Sequence, residues 1–287
     1  MTAHRRPPAR APLTTAGTAL AALLLAACGG EGSDTGRGSE GAELSHVHGL
    51  GVGPADSGVY VATHDGLYTV AEGRQPKLVG DRKDDFMGFT VADESTLIAS
   101  GHGAEGSGRP GNLGLIQSTD AGRTWTARSL EGDADFHSLE SVRGTVYGYE
   151  GGRIRVSRDL KSWDDRASLE ALDLAVNPDG DTLLATTADG VVASTDGGRT
   201  FGEATEPVQA FASWPADESL FGIDLSGKLS RSSDSGKTWQ QLATVPGGRP
   251  QALTAVNAER ILAATQDGVY ESRDGGKTFT ELAPLAS

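Results

Sequence analysis

Five histidines and one methionine stand between residues 46 and 137, and neither type occurs between 138 and 287. They are His46, His48, His64, Met87, His102 and His137. Imidazole is a ligand for copper, zinc, nickel and iron, and a thioether favours copper, Cu(I) above all. The set reads as a transition-metal site built from some of these six, with copper the ion that mixed imidazole and thioether donors suit best. The same side chains would also serve a pocket for a non-metal ligand, or act separately as polar groups satisfying loop backbone. Their spacing matches no ligand motif of known specificity, so it is the clustering that points to function. Asp85 and Asp135 flank two of the segments and are placed to accept ring N–H hydrogen bonds behind the ligands.

A repeat supplies the frame that would bring these residues together. An eight-residue pattern reads S-T-D-A-G-R-T-W from Ser118, S-T-D-G-G-R-T-F from Ser194, S-S-D-S-G-K-T-W from Ser232 and S-R-D-G-G-K-T-F from Ser272. A worn copy, S-R-D-L-K-S-W, starts at Ser157. A period of roughly 40 residues with strands and a marked turn in each unit is the signature of a β-propeller. Asp120, Asp159, Asp196, Asp234 and Asp274 fall at the turns, where a short carboxylate accepts backbone N–H groups of its own turn. The closing Trp or Phe opens the next strand and offers a large apolar surface for burial between sheets. These turns resemble Asp-boxes, also called BNR repeats, which occur in sialidases, sortilin-like receptors and photosystem II assembly factor-like propellers. The box is a structural turn in all of those families, so the resemblance implies a fold rather than an activity.

Aligned on their apolar alternation, six units begin near His46, Phe86, Phe136, Leu172, Gln209 and Gln251. The expectation is an all-β fold over residues 44–287: a six-bladed β-propeller with four-stranded antiparallel blades and Asp-box turns. In this alignment His48, Met87 and His137 share one position on the innermost strands, filled by about Leu172, Gln209 and Gln251 in the later units. His64 and His102 end the second strands of units 1 and 2. All six candidate ligands are thus expected on one face, near the mouth of the central channel, with the box turns on the other. Unit 1 has no box, and unit 2 carries an insertion at 104–112 that reads either as a lid or contact loop or as a tolerated extension.

The chain starts differently. Residues 1–27 carry Arg5, Arg6 and Arg10, then an apolar run too short to span a bilayer. That run ends in Leu25-Ala26-Ala27-Cys28, which resembles a bacterial lipobox and implies cleavage before Cys28, lipidation of its thiol and a membrane anchor outside the cytoplasm. Cys28 is the sole cysteine, so no intrachain disulfide can form. Residues 28–43 then read as a lipidated cysteine and a flexible tether. The formal charge of −14 becomes −17 without the three leader arginines. So acidic a surface disfavours nucleic acid as a partner. A monomer is expected.

A closer resemblance rests on H-V-H-G-L-G-V, V-A-T-H-D-G-L-Y, M-G-F-T-V, S-G-H-G, G-L-I-Q-S-T-D-A-G-R-T-W and D-F-H-S-L. These look like a family of bacterial BNR-repeat lipoproteins called glycosylhydrolase-like. The name implies a glycoside hydrolase, and the boxes invite an exo-α-sialidase reading. Sialidase chemistry, however, needs an arginine triad, a tyrosine nucleophile with its glutamate and an acid aspartate, and the Phe/Tyr-Arg-Ile-Pro motif of that family is absent. No catalytic residue is assigned. The remaining class is a scaffold that holds a protein or glycan partner, as assembly factor-like and sortilin-like propellers do.

Overall fold

The computed structural model describes residues 44–53 and 57–286. The leader, Cys28 and the tether lie outside the described residues. Six antiparallel sheets follow one another along the chain, with inner strands Val47–Val52, Asp85–Val91, Ser138–Val142, Asp173–Val176, Phe211–Ser213 and Pro250–Ala255. This is a six-bladed β-propeller. Each blade is a meander in sequence order, so neighbouring strands are joined by short turns and every blade buries its faces against the next.

The second strands are the most deeply placed. Val59–Thr63, Leu183–Thr187 and Ile261–Thr265 are buried at every residue. Continuous apolar runs of this length are what a strand covered on both faces requires. The core accordingly lies in layers between blades: Val47, Leu50 and Val61 of blade 1, for instance, pack with Ala252, Leu262 and Val269 of blade 6. Leu44 pairs in parallel with Leu285 beside the last outer strand, and the Ala286 N–H donates to the Leu44 carbonyl at 2.8 Å. The two ends of the propeller thereby meet at blade 6.

Blade 4 departs from the four-stranded pattern. Its sheet has three strands, and the outer one is reduced to a bridge in which Val191 and Thr205 exchange backbone hydrogen bonds of 3.0 and 2.9 Å. Blade 5 shifts the alignment by one residue. Phe211 pairs with Ile223, so the residue equivalent to His48 is Ala210, and Gln209 is buried against Gly222.

The repeat turns are closed by their own side chains. In blade 4 the Asp196 carboxylate accepts from Arg199 N–H and Thr200 N–H at 2.9 and 3.0 Å, and from the Thr200 hydroxyl at 2.7 Å. Ser194 Oγ donates to the same carboxylate and accepts Gly198 N–H, each at 2.8 Å. Asp120, Asp234 and Asp274 repeat the scheme. Gly276 shows why glycine follows: its φ is +82°, and a Cβ there would come within 2.4 Å of Leu229 Cδ2.

Candidate functional site on the face away from the box turns

Backbone irregularity sets the site. In blade 1 the register slips between Val47 and Gly49, which leaves His48 as the extra residue of a β-bulge. Blade 2 slips between Phe86 and Gly88, at Met87, and blade 6 between Pro250 and Ala252, at Gln251. A bulge re-aims a side chain out of the pleat, and bulges gather beside functional sites. Gly101 permits the blade 2 bulge, because a Cβ at that φ of +146° would lie 1.9 Å from the Asp85 carbonyl oxygen. His137 holds the equivalent place in blade 3, where its N–H donates to the Tyr149 carbonyl at 2.9 Å.

His64 follows the second strand of blade 1, on a turn fixed by Thr63, whose Oγ1 donates to the Gly66 carbonyl and accepts Asp65 N–H. The rings of His46, His48 and His64 gather with centroids 4.5 to 5.5 Å apart. His48 Nε2 lies 3.3 Å from His64 Nδ1. Asp85 of the next blade reaches both: its Oδ2 lies 2.9 Å from His64 Nδ1 and its Oδ1 3.5 Å from His48 Nε2. One donor atom from each of His48, His64 and Asp85 fits within a span of 4.8 Å. Asp85 Oδ1 is buried and accepts no hydrogen bond.

Burial and the like charges of neighbouring imidazoles set the protonation of this cluster. His48 is pushed down to about 3, chiefly by desolvation and then by His64 and His46. His46 is lowered by burial and by His64. Both rings are therefore neutral at physiological pH, which is the ligating form of imidazole. His137 moves the other way, raised first by its hydrogen bond to Asp135.

The six sequence candidates thus divide. His46, His48 and His64 meet one another. His102 and His137 meet at Asp135 instead, both Nε2 atoms reaching its Oδ2 at 3.1 and 3.0 Å. Met87 is half-buried at its bulge, and its sulfur makes no hydrogen bond to any imidazole among the described residues. Asp85 and Asp135, expected behind the ligands, face the rings directly.

The insertion at 104–112 is held down. The Asp84 carboxylate, fully buried, accepts Ala104 N–H at 2.9 Å and pairs with Arg109 at 2.7 Å and with Arg82. The clamp sets the Gly111 carbonyl 3.0 Å from His102 Nδ1. Nothing in the sequence singles out Asp84, because its neighbour Asp85 has the same chemistry and a spacing to the arginines that differs by only one residue.

A cavity of about 380 Å³ lies in the central channel, lined by the inner strands and by none of the histidines. Glu140 and Asp173 line it. Asp173 accepts the Ser138 hydroxyl at 2.9 Å and Ala212 N–H at 3.1 Å, and it is raised to about 6 by desolvation. Glu140 is pushed up to about 8 by desolvation and then by Asp173. Both carboxyls keep some contact with the lumen although blades surround them on all sides. Both lie on inner strands, in S-L-E-S-V and L-D-L-A-V, where an acid among apolar residues is the signal that marks them. Trp214 packs between blades 4 and 5 and reaches the channel mouth.

No family model matches the chain, and no curated protein matches it. Solved structures do, and they are β-propeller proteins. One is described as YCF48 bound to D1 peptide, 18% identical, with a TM-score of 0.53 over 84% of each chain. Another is a GH74 enzyme from Niastella koreensis, 16% identical with a TM-score of 0.53, where 83% of this chain matches only 37% of that one. A third, described as a putative gluconolactonase, is 13% identical with a TM-score of 0.61 over 86% and 92% of the two chains. Identities this low bear on the fold alone, and the three descriptions name three different activities.

Proposed function

We propose that this propeller is an Asp-box lipoprotein, anchored through Cys28 outside the cytoplasm, that binds a transition-metal ion at His48, His64 and Asp85 with His46 beside them. The observation that carries this reading is the meeting of three donor groups: His48 Nε2 lies 3.3 Å from His64 Nδ1, and the two oxygens of Asp85 reach one imidazole each, at 2.9 and 3.5 Å. An ion bound at about 2.0–2.1 Å holds its tetrahedral ligands roughly 3.3–3.4 Å apart, which is the spacing of the two imidazole nitrogens. Neutral His46 and His48, and an Asp85 Oδ1 that accepts no hydrogen bond, supply lone pairs. Two imidazoles and a carboxylate suit copper(II), zinc, nickel and iron(II). Copper(I) would call on Met87 as well.

Calorimetric titration with Cu(II), Cu(I) and Zn(II), on the wild type and on His48→Gln/His64→Gln, tests the reading. Binding tighter than micromolar that the double variant loses supports it. Absence of such binding for every ion ends it.

A glycan-hydrolase reading has one observation in its favour: two carboxyls, Glu140 and Asp173, share the channel with one held protonated near neutrality. Turnover of a fluorogenic sialoside or aryl glycoside, abolished in Glu140→Gln, would establish it. A protein-binding role is the third reading, and co-purification of a partner from membranes would favour it.

A further inference from the structure

His46 and His48 ride on the segment that crosses from blade 6 to blade 1. Leu44 still pairs beside Leu285 of blade 6, and Val47 opens the inner strand of blade 1. Three hydrogen bonds hold the crossing. Ala286 N–H donates to the Leu44 carbonyl at 2.8 Å, and His64 N–H to the His46 carbonyl at 3.3 Å. Val47 N–H, between the two histidines, donates to Gln251 Oε1 of blade 6 at 2.8 Å. The first two join backbone groups and are indifferent to side-chain type. The third depends on one side chain, whose amide oxygen is its acceptor.

Blade 3 serves the corresponding N–H by another route. Phe136 stands before His137 as Val47 stands before His48, and its N–H donates to Ser100 Oγ of blade 2 at 2.9 Å. Ser100 lies opposite Gly88, the residue after the blade 2 bulge. In blade 6 the residue opposite Ala252, after the bulge there, is Ala264, which has no hydroxyl. Gln251 makes up for it from the bulge itself, where a side chain is turned out of the pleat. The bond bears directly on His48. As the extra residue of a bulge, His48 has no partner of its own across the ladder. Its direction is set by its neighbours, Gly49 paired with Ala62 and Val47 paired with Thr63. Val47 is buried in the layer between blades 1 and 6. Without the amide its N–H loses its acceptor, and the backbone beside His48 must turn to find another.

We infer that Gln251 is a positioning residue of the metal site: it is not a ligand, and it holds Val47 so that His48 Nε2 meets His64 Nδ1 and Asp85. The inference rests on the metal reading proposed above. It gives blade 6 a part in a site whose donors come from blades 1 and 2. Metal binding and ring closure are thereby coupled, since the segment that the amide holds is the one through which the two ends of the propeller meet.

The test compares the full chain, extracted in detergent, with Gln251→Leu and with Gln251→Leu/Ala264→Ser, which places a hydroxyl where blade 2 has Ser100. Zn(II) affinity is read by competition with a chromophoric chelator, ligand geometry by Co(II) absorption, and stability by melting of the metal-free chains. Gln251→Leu is expected to bind zinc about 10–100-fold more weakly, the range for groups that orient a metal ligand. Its Co(II) bands are expected to lose intensity, and Ala264→Ser to restore both readings. A Gln251→Leu chain that melts earlier but keeps the wild-type affinity and Co(II) spectrum overturns the inference, because the amide then serves the fold alone. A loss that Ala264→Ser leaves uncorrected overturns it too, because the amide then acts other than through Val47 N–H. A wild type that binds no ion tighter than micromolar overturns the metal reading itself. Should Gln251→Leu fail to fold, hydrogen exchange of the Val47 amide in the wild type decides the matter. Coupling is reciprocal, so zinc is expected to slow that exchange, and an unchanged rate overturns the inference.

Discussion

Asp85 Oδ2 lies 2.9 Å from His64 Nδ1 across the junction of blades 1 and 2. The carboxylate belongs to one blade and the imidazole to another, so the distance between them is set by how the sheets pack, not by local sequence. Replacing Asp85 by Asn keeps the shape and removes the charge. Metal affinity in Asp85→Asn is expected to fall by at least about 10–100-fold, the range found when a carboxylate behind a metal ligand is lost, because Asp85 is itself proposed as a ligand. Competition titration against a chromophoric chelator measures it.

The clamp at Asp84 is a buried charge shared by two arginines. Asp84→Ala leaves Arg82 and Arg109 without their partner. Breaking a buried pair from one side costs about 3–5 kcal/mol. Urea unfolding should show a loss of that size. Hydrogen exchange should show amides of 104–112 opening well before the blade strands.

The box turns give a stability prediction remote from the site. Gly276→Ala forces a Cβ onto a residue at φ +82° and against Leu229. The cost expected is about 1–3 kcal/mol from strain and overpacking. Thermal melting should show the loss, while metal affinity stays at the wild-type value.

Glu140 and Asp173 predict a pH dependence of definite sign. Their folded values are raised to about 8 and about 6, above the ordinary carboxylate range, so the folded chain holds protons that the unfolded chain releases. The stability this contributes is fully present below about pH 4 and is lost as pH rises toward 8. Glu140→Gln removes the larger part. The melting temperature of the wild type relative to Glu140→Gln should therefore fall as pH rises from about 4.5 to 8. A difference that stays flat over that range would show that channel water solvates the carboxylate.

Much of this was legible in the sequence. The box repeats set the period of units 2 to 6 because Ser, Asp and Gly recur at the spacing their turn demands, apolar alternation supplied unit 1, and every histidine beyond the leader stood in the first three units. The position shared by His48, Met87 and His137 could be read from apolar alternation, although not that it is a bulge in blades 1 and 2. Three things were hidden. Blade 4's outer strand shrinks to the Val191–Thr205 bridge, and its flanking residues still alternate enough to suggest a strand. Blade 5's inner strand is only Phe211–Ser213, too short to fix its own register, so Gln209 stood where Ala210 belongs. The division of the histidines between Asp85 and Asp135 depends on inter-blade packing, which no single strand encodes.

The account's central claim is a metal ion on His48 and His64, and X-ray absorption at the metal edge of the loaded full chain tests it most directly. The prediction is a shell of nitrogen and oxygen ligands near 2.0–2.1 Å, with the outer-shell scattering of at least two imidazoles, reduced by two imidazoles in His48→Gln/His64→Gln. A wild-type chain that retains no metal, or a spectrum without imidazole scattering, would contradict it.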